Sequence, residues 1–133
     1  MVDDMPADPM ELSAVRLFVR DLAGALTFYQ HVLGLRLVHG GVAAGYCVFA
    51  AGGCQLVVEP VARNAPEDEQ VLVGRFTGLS FAVADVAAEH ARLVALGVPF
   101  PGPPEAQPWG GILATFRDPA GNELQLVQAP GAA

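Results

Sequence analysis

Six side chains in this chain are of the types that could grip a small molecule: Arg16, Phe18, Gln55, Ser80, Trp109 and Gln125. Together they offer one guanidinium, two carboxamides, a hydroxyl and two aromatic rings. Such a set supplies apolar walls with a few orienting hydrogen bonds, which is what a small-molecule pocket needs. The set holds no proton acceptor, because an amide cannot act as a general base in a carboxylate's place. The histidines His31, His39 and His90 follow no HxH, HExxH or two-His-one-carboxylate spacing. Cys47 and Cys54 lie in apolar segments without CxxC spacing and read as small buried hydrophobes. No residue is therefore assigned a catalytic or metal-ligating role, and no cofactor is expected.

The stretch that fixes where these side chains point is Phe116–Gln128, FRDPAGNELQLVQ. Pro119 presets a turn, Gly121 tolerates positive φ, and Asp118 and Asn122 can bond nearby backbone. Beyond the turn, alternation puts Leu124 and Leu126 on one face and Glu123, Gln125 and Val127 on the other. The same alternation sets Val15, Leu17 and Val19 against Ala14, Arg16 and Phe18. It also sets Leu79, Phe81 and Val83 against Gly78, Ser80 and Ala82. One face of each strand is wholly apolar and belongs under a helix; the other carries the candidate ligand groups.

The helices follow from caps and periodicity. Asp21 caps a predicted helix running to Leu33 and closed by Gly34, and Asp85 caps a second over Val86–Leu96 closed by Gly97. Strand-like pieces occupy Leu35–Val38, Tyr46–Ala50, Cys54–Val58 and Ile112–Phe116. The two halves repeat: a shift of 64 residues lays Asp21 on Asp85 and Val15, Leu17, Val19 on Leu79, Phe81, Val83. The tripeptide Gln55-Leu56-Val57 returns as Gln125-Leu126-Val127. The predicted fold class is α+β, two tandem βαβββ units forming a curled mixed sheet with helices on the outside. Residues 1–11 read as a flexible tail and 12–133 as one domain, with unit one at 13–60, a connector at 61–76 and unit two at 77–128. Within the connector, Pro66-Glu67-Asp68-Glu69 reads as a solvated acidic loop.

Composition narrows the partners. At 53% hydrophobic and 16% charged over 133 residues the chain is globular, and no apolar run reaches the roughly 20 residues of a membrane span. Seven basic side chains against 14 acidic ones give −7, the wrong sign for nucleic-acid phosphates. The acidic start, MVDDMPADPM, lacks the regions of a signal peptide, so a cytoplasmic location is expected.

The segments VRLFVRDLAGALTFYQHVLGLRL (15–37), GLSFAVADVAAEHARLVALGV (78–98) and FRDPAGNELQLV (116–127) together resemble the vicinal oxygen chelate superfamily. That superfamily includes glyoxalase I, bleomycin-resistance proteins and extradiol dioxygenases. The resemblance implies the paired-unit fold and a cupped sheet. It also implies, in metalloenzyme members, a His or Gln early in each unit's first strand and a Glu late in its last. Carried over by position, those sites fall on Ala14, Gly78, Gln55 and Gln125, and this chain departs from the pattern at each. Two residues without donor atoms and two neutral amides make a poor divalent-metal site.

Each candidate has an alternative role. Arg16 pairs with Glu59 or Glu123, Gln55 and Gln125 bond one another, and Trp109 lids the groove, plugs it or sits in a subunit interface. The expected function is metal-free binding of a drug or metabolite in the groove, by a homodimer. Against it stand a lyase, isomerase or dioxygenase-type enzyme, metal-free or with an atypical site using Glu123, Glu59 or His39, and an interaction module whose groove is filled.

Overall fold

A computed structural model describes residues 9–131. Of the expected tail, residues 1–8 lie outside the described residues. Unit one comprises β1 (Ala14–Val19), α1 (Leu22–Thr27), β2 (Arg36–Gly41), β3 (Tyr46–Ala51) and β4 (Cys54–Pro60). A connector carrying the short α2 (Glu67–Gln70) leads to β5 (Phe76–Ala82), α3 (Val86–Ala95), β6 (Glu105–Ala106), β7 (Ile112–Arg117) and β8 (Glu123–Gln128). Each unit forms a four-stranded mixed sheet, ordered β1-β4-β3-β2 and β5-β8-β7-β6. The first and last strands of each unit run parallel, β1 with β4 and β5 with β8. The remaining pairs are antiparallel. The expected tandem α+β fold is what the chain adopts.

Both helix starts follow the capping logic: the Asp21 carboxylate accepts from the Gly24 amide and that of Asp85 from the Ala88 amide, each at 3.1 Å. Two local expectations need correction. The first helix does not run as one α-helix to Leu33; after Thr27 it widens into a π-helical turn over Phe28–Val32. That turn accommodates two adjacent buried rings, Phe28 and Tyr29, packed edge to face at 5.1 Å. The acidic segment Pro66–Glu69 is no open loop, because Glu69 and Gln70 both donate backbone amides to the Pro66 carbonyl and start α2. Three acids in the first turn favour that helical turn. Between α3 and β7 the chain also forms the two-residue β6, too short for any periodicity to reveal.

The apolar strand faces meet in one core. Leu17, Val19, Leu56 and Val58 from the first sheet join Phe116, Leu124 and Leu126 from the second. Helix residues Tyr29, Val86 and Leu93 complete it. Against it lies a polar knot made by the Asp-Pro-x-Gly-Asn turn between β7 and β8. The Asp118 carboxylate accepts from the Tyr29 hydroxyl at 2.8 Å and from the amides of Ala120 and Asn122. Asn122, fully buried, donates from Nδ2 to the Phe18 carbonyl at 2.8 Å and accepts at Oδ1 from the Gly74 amide at 2.8 Å. The turn thereby ties β1, the residue Tyr29 that follows α1, and the connector to unit two.

Tyr29 is held in its protonated form: burial, and then the neighbouring Asp118 charge and hydrogen bond, raise its pKa far above the ordinary value of 10.0. A raised folded-state pKa contributes stability that is complete below the unfolded value and is lost as pH climbs past it. Above about pH 10 the wild type is therefore expected to lose stability relative to Tyr29→Phe by up to about 1.4 kcal/mol per pH unit. Urea midpoints of the two proteins between pH 8 and 11 measure that difference. A constant gap would show that the hydroxyl does not titrate with unfolding.

Candidate functional site

Helices cover only one face of each sheet, and the opposite face of sheet two forms a cup. Antiparallel register places Thr115 opposite Gln125, Leu113 opposite Val127 and Glu105 opposite Leu113. Directly opposed residues share a face, so these side chains project together. The chain between α3 and β6 curls over them: Pro101, Gly102 and Pro103 line the same hollow as Glu105, Gln107, Leu113, Thr115, Glu123 and Gln125. Its volume is about 510 Å³. That lies within the range of about 300–1,000 Å³ typical of small-molecule sites.

The polar groups of the cup are held in place. The Gln125 amide bridges two strands, with Nε2 donating to Thr115 Oγ1 and Oε1 accepting from Ser80 Oγ, each at 3.3 Å. One Glu123 oxygen, Oε2, accepts from Arg117 at 3.0–3.1 Å. Gln107 Nε2 donates to the Glu105 carbonyl at 3.2 Å, fixing one side chain of the overhang to its own strand. Ser80 is in reach of Gln125 but lines a second, more apolar hollow of about 270 Å³ with Val15, Cys54, Leu56, Leu79 and Phe81.

The other predicted site residues lie elsewhere. Arg16 makes a bidentate ion pair with Glu59, Nε to Oε2 at 2.6 Å and Nη2 to Oε1 at 3.0 Å, and lies over the Phe18 ring at 5.2 Å. The Glu59 hydrogen bond and charge raise the pKa of its guanidinium. Glu59, two strand positions along from Val57 on β4, is thus the Arg16 partner, while Glu123 takes Arg117 instead. Gln55 is exposed and pairs in register with Ala14 and Ala50 on sheet one. It does not meet Gln125, whose amide is engaged on sheet two. Trp109 is 52% exposed and its ring lies against Gly111, where a β-carbon would sit 1.9 Å from Cζ3. Its ring is not part of the wall of the larger cup.

Sequence reasoning missed Glu105, Gln107, Leu113 and Thr115. The alternation through Ile112–Phe116 placed Leu113 and Thr115 on one face, a signal that was present and unused. Nothing local marks Glu105, because a two-residue strand has no readable period.

The positions where metalloenzyme relatives carry ligands can be tested for fit. Ala14 and Gly78 are exposed and have no donor atoms; Gln55 and Gln125 belong to different sheets. Among the described residues no group of three His, Cys, Asp or Glu side chains converges. His90 packs edge-on against Phe100 at 4.5 Å and His39 lies beside Tyr46 at 5.8 Å. The donor set at these positions does not fit a resident metal.

The model for the Glyoxalase/Bleomycin resistance protein/Dioxygenase superfamily matches residues 11–126. The chain belongs to that superfamily. Among solved glyoxalase-superfamily structures, a member from Sphaerobacter thermophilus is 30% identical, with a TM-score of 0.73 over 90% of this chain and 97% of that one. TnmS3, an antibiotic binding protein from Streptomyces sp. CB03234, is 29% identical, with a TM-score of 0.71 over 93% of this chain and 99% of TnmS3. A glyoxalase/bleomycin resistance protein from the same Streptomyces strain is 30% identical, with a TM-score of 0.66 over 87% and 98% of the two chains. No curated protein matches the chain. Superfamily membership fixes the paired-unit fold and leaves the chemistry to the individual site. No helix among the described residues is long and apolar enough to cross a membrane.

Proposed function

We propose that this superfamily member is a small-molecule-binding protein that holds a drug or metabolite in the cup of unit two without a resident metal. One observation carries the reading: a hollow of about 510 Å³ whose hydrogen-bonding groups, Gln125 and Thr115, are already positioned by bonds to each other. Preorganised polar groups above an apolar wall lower the ordering cost of binding. The likeness to TnmS3, an antibiotic binding protein, supports the same reading. On this reading the protein acts in the cytoplasm as a homodimer, with Arg16, Phe18 and Gln55 lying on the open face of sheet one as a second, shallower contact surface.

The metal-free half of the proposal is tested by elemental analysis of protein purified without added metal, followed by chelation. The expected result is no stoichiometric Zn, Ni, Mn or Fe, and a melting temperature unchanged by chelator. Near-stoichiometric metal whose removal lowers the melting temperature would overturn it.

A further inference from the structure

The cup has a charge as well as a shape. Its lining includes two carboxylates, Glu105 and Glu123, and no cationic side chain. Arg117 reaches Glu123 and engages only Oε2, leaving Oε1 without a partner among the described residues. The Glu105 carboxylate has no partner at all among the described residues; only its backbone carbonyl is used, by Gln107. That bond uses one of the two Gln107 N–H donors, and Oε1 has no partner among the described residues. Glu105 and Gln107 lie beside Leu113, at the end of the hollow where Pro101 and Pro103 also line it, whereas Glu123 stands at the opposite end, level with Arg117. The chain's formal charge of −7 adds a long-range field of the same sign.

From this we infer that the ligand of the cup carries a positively charged nitrogen, an ammonium or amidinium, joined to an apolar body. The nitrogen donates to Glu105 at the rim, with Gln107 Oε1 as a further acceptor, and the apolar body lies on Leu113 and the prolines. Such a charge-assisted bond is stronger than one between neutral groups. It also rejects anionic analogues, which would meet an unpaired carboxylate. Glu105 is then a specificity-determining residue on a strand too short for the sequence to announce. The inference rests on the cup being the binding site.

The test uses three probes with one ring system and different charge: 2-naphthylmethylamine, 2-naphthalenemethanol and 2-naphthoic acid. Each is titrated into the wild-type protein and into Glu105→Gln at low ionic strength, with dissociation constants read by calorimetry or NMR. Glu105 is exposed on a short edge strand, so the variant should fold as the wild type does. An exposed charge pair is worth up to about fivefold in affinity, so the amine should bind about fivefold more tightly than the alcohol. The acid should bind least, the amine's advantage should shrink with added salt, and Glu105→Gln should abolish it. Equal binding of amine and alcohol, or an advantage that survives in Glu105→Gln, overturns the charge inference while the alcohol's binding keeps the cup as the site. Failure of all three probes to bind at millimolar concentration overturns both.

Discussion

Asn122→Ala is expected to destabilise the protein by about 3–5 kcal/mol, a large fraction of the total stability of an ordinary domain. The side chain is fully buried and serves three segments at once: the Phe18 carbonyl at the end of β1, the Gly74 amide of the connector and the Asp118 carboxylate. Truncation leaves the Gly74 amide and the Phe18 carbonyl, both part-buried, without their partner, and each such loss costs up to about 1–3 kcal/mol. It also opens a void at a point where the two units meet, too deep for the surrounding strands to collapse into fully. Urea unfolding should show a lower midpoint with an unchanged slope. A loss below about 1 kcal/mol would mean that the knot is not what holds the units in register.

The second large effect concerns binding. Thr115→Trp places an indole in the middle of the cup, between Leu113 and Gln125 on the open face of sheet two. Thr115 is only half-buried, on the side away from the core, so the fold should lose little, within about 1 kcal/mol. A ligand seated on Gln125 and Thr115 has no room beside the indole. The expected result is at least about a hundredfold loss of affinity for any compound that stabilises the wild type. At 100 times the wild-type dissociation constant, the stabilisation of about 2.7 kcal/mol given by such a compound should disappear. Retained binding in this variant would place the ligand outside the cup.

How far the sequence could be read depended on the reach of each signal. Asp21 and Asp85, each followed by an apolar helical face, marked both helix starts because capping is local chemistry. The alternation of Leu17 and Val19 against Arg16 and Phe18 assigned strand faces that the core confirms. The π-turn at Phe28–Val32 was not legible, because adjacent aromatic residues satisfy the same helical pattern until their packing is known. The site was partly legible. Alternation set Gln125 on the face away from Leu124 and Leu126, and it lines the candidate cup. Arg16 and Gln55 were grouped with it by assuming that the repeated units share one groove. Which strand faces share a groove is set by how the two sheets sit, a tertiary matter that the repeat leaves open. Glu105 and Gln107 reach the cup only because the chain between α3 and β7 folds over it, and no periodicity encodes such an overhang.

The central claim, that the cup of unit two is a ligand site, is tested most directly by NMR on labelled protein titrated with 2-naphthalenemethanol. Saturable shifts are predicted at the amides of Gln107, Leu113, Thr115, Glu123 and Gln125. Shifts confined to Arg16 and Gln55 on sheet one, shifts confined to Cys54 and Phe81 in the smaller hollow, or no saturable shift at all would contradict it.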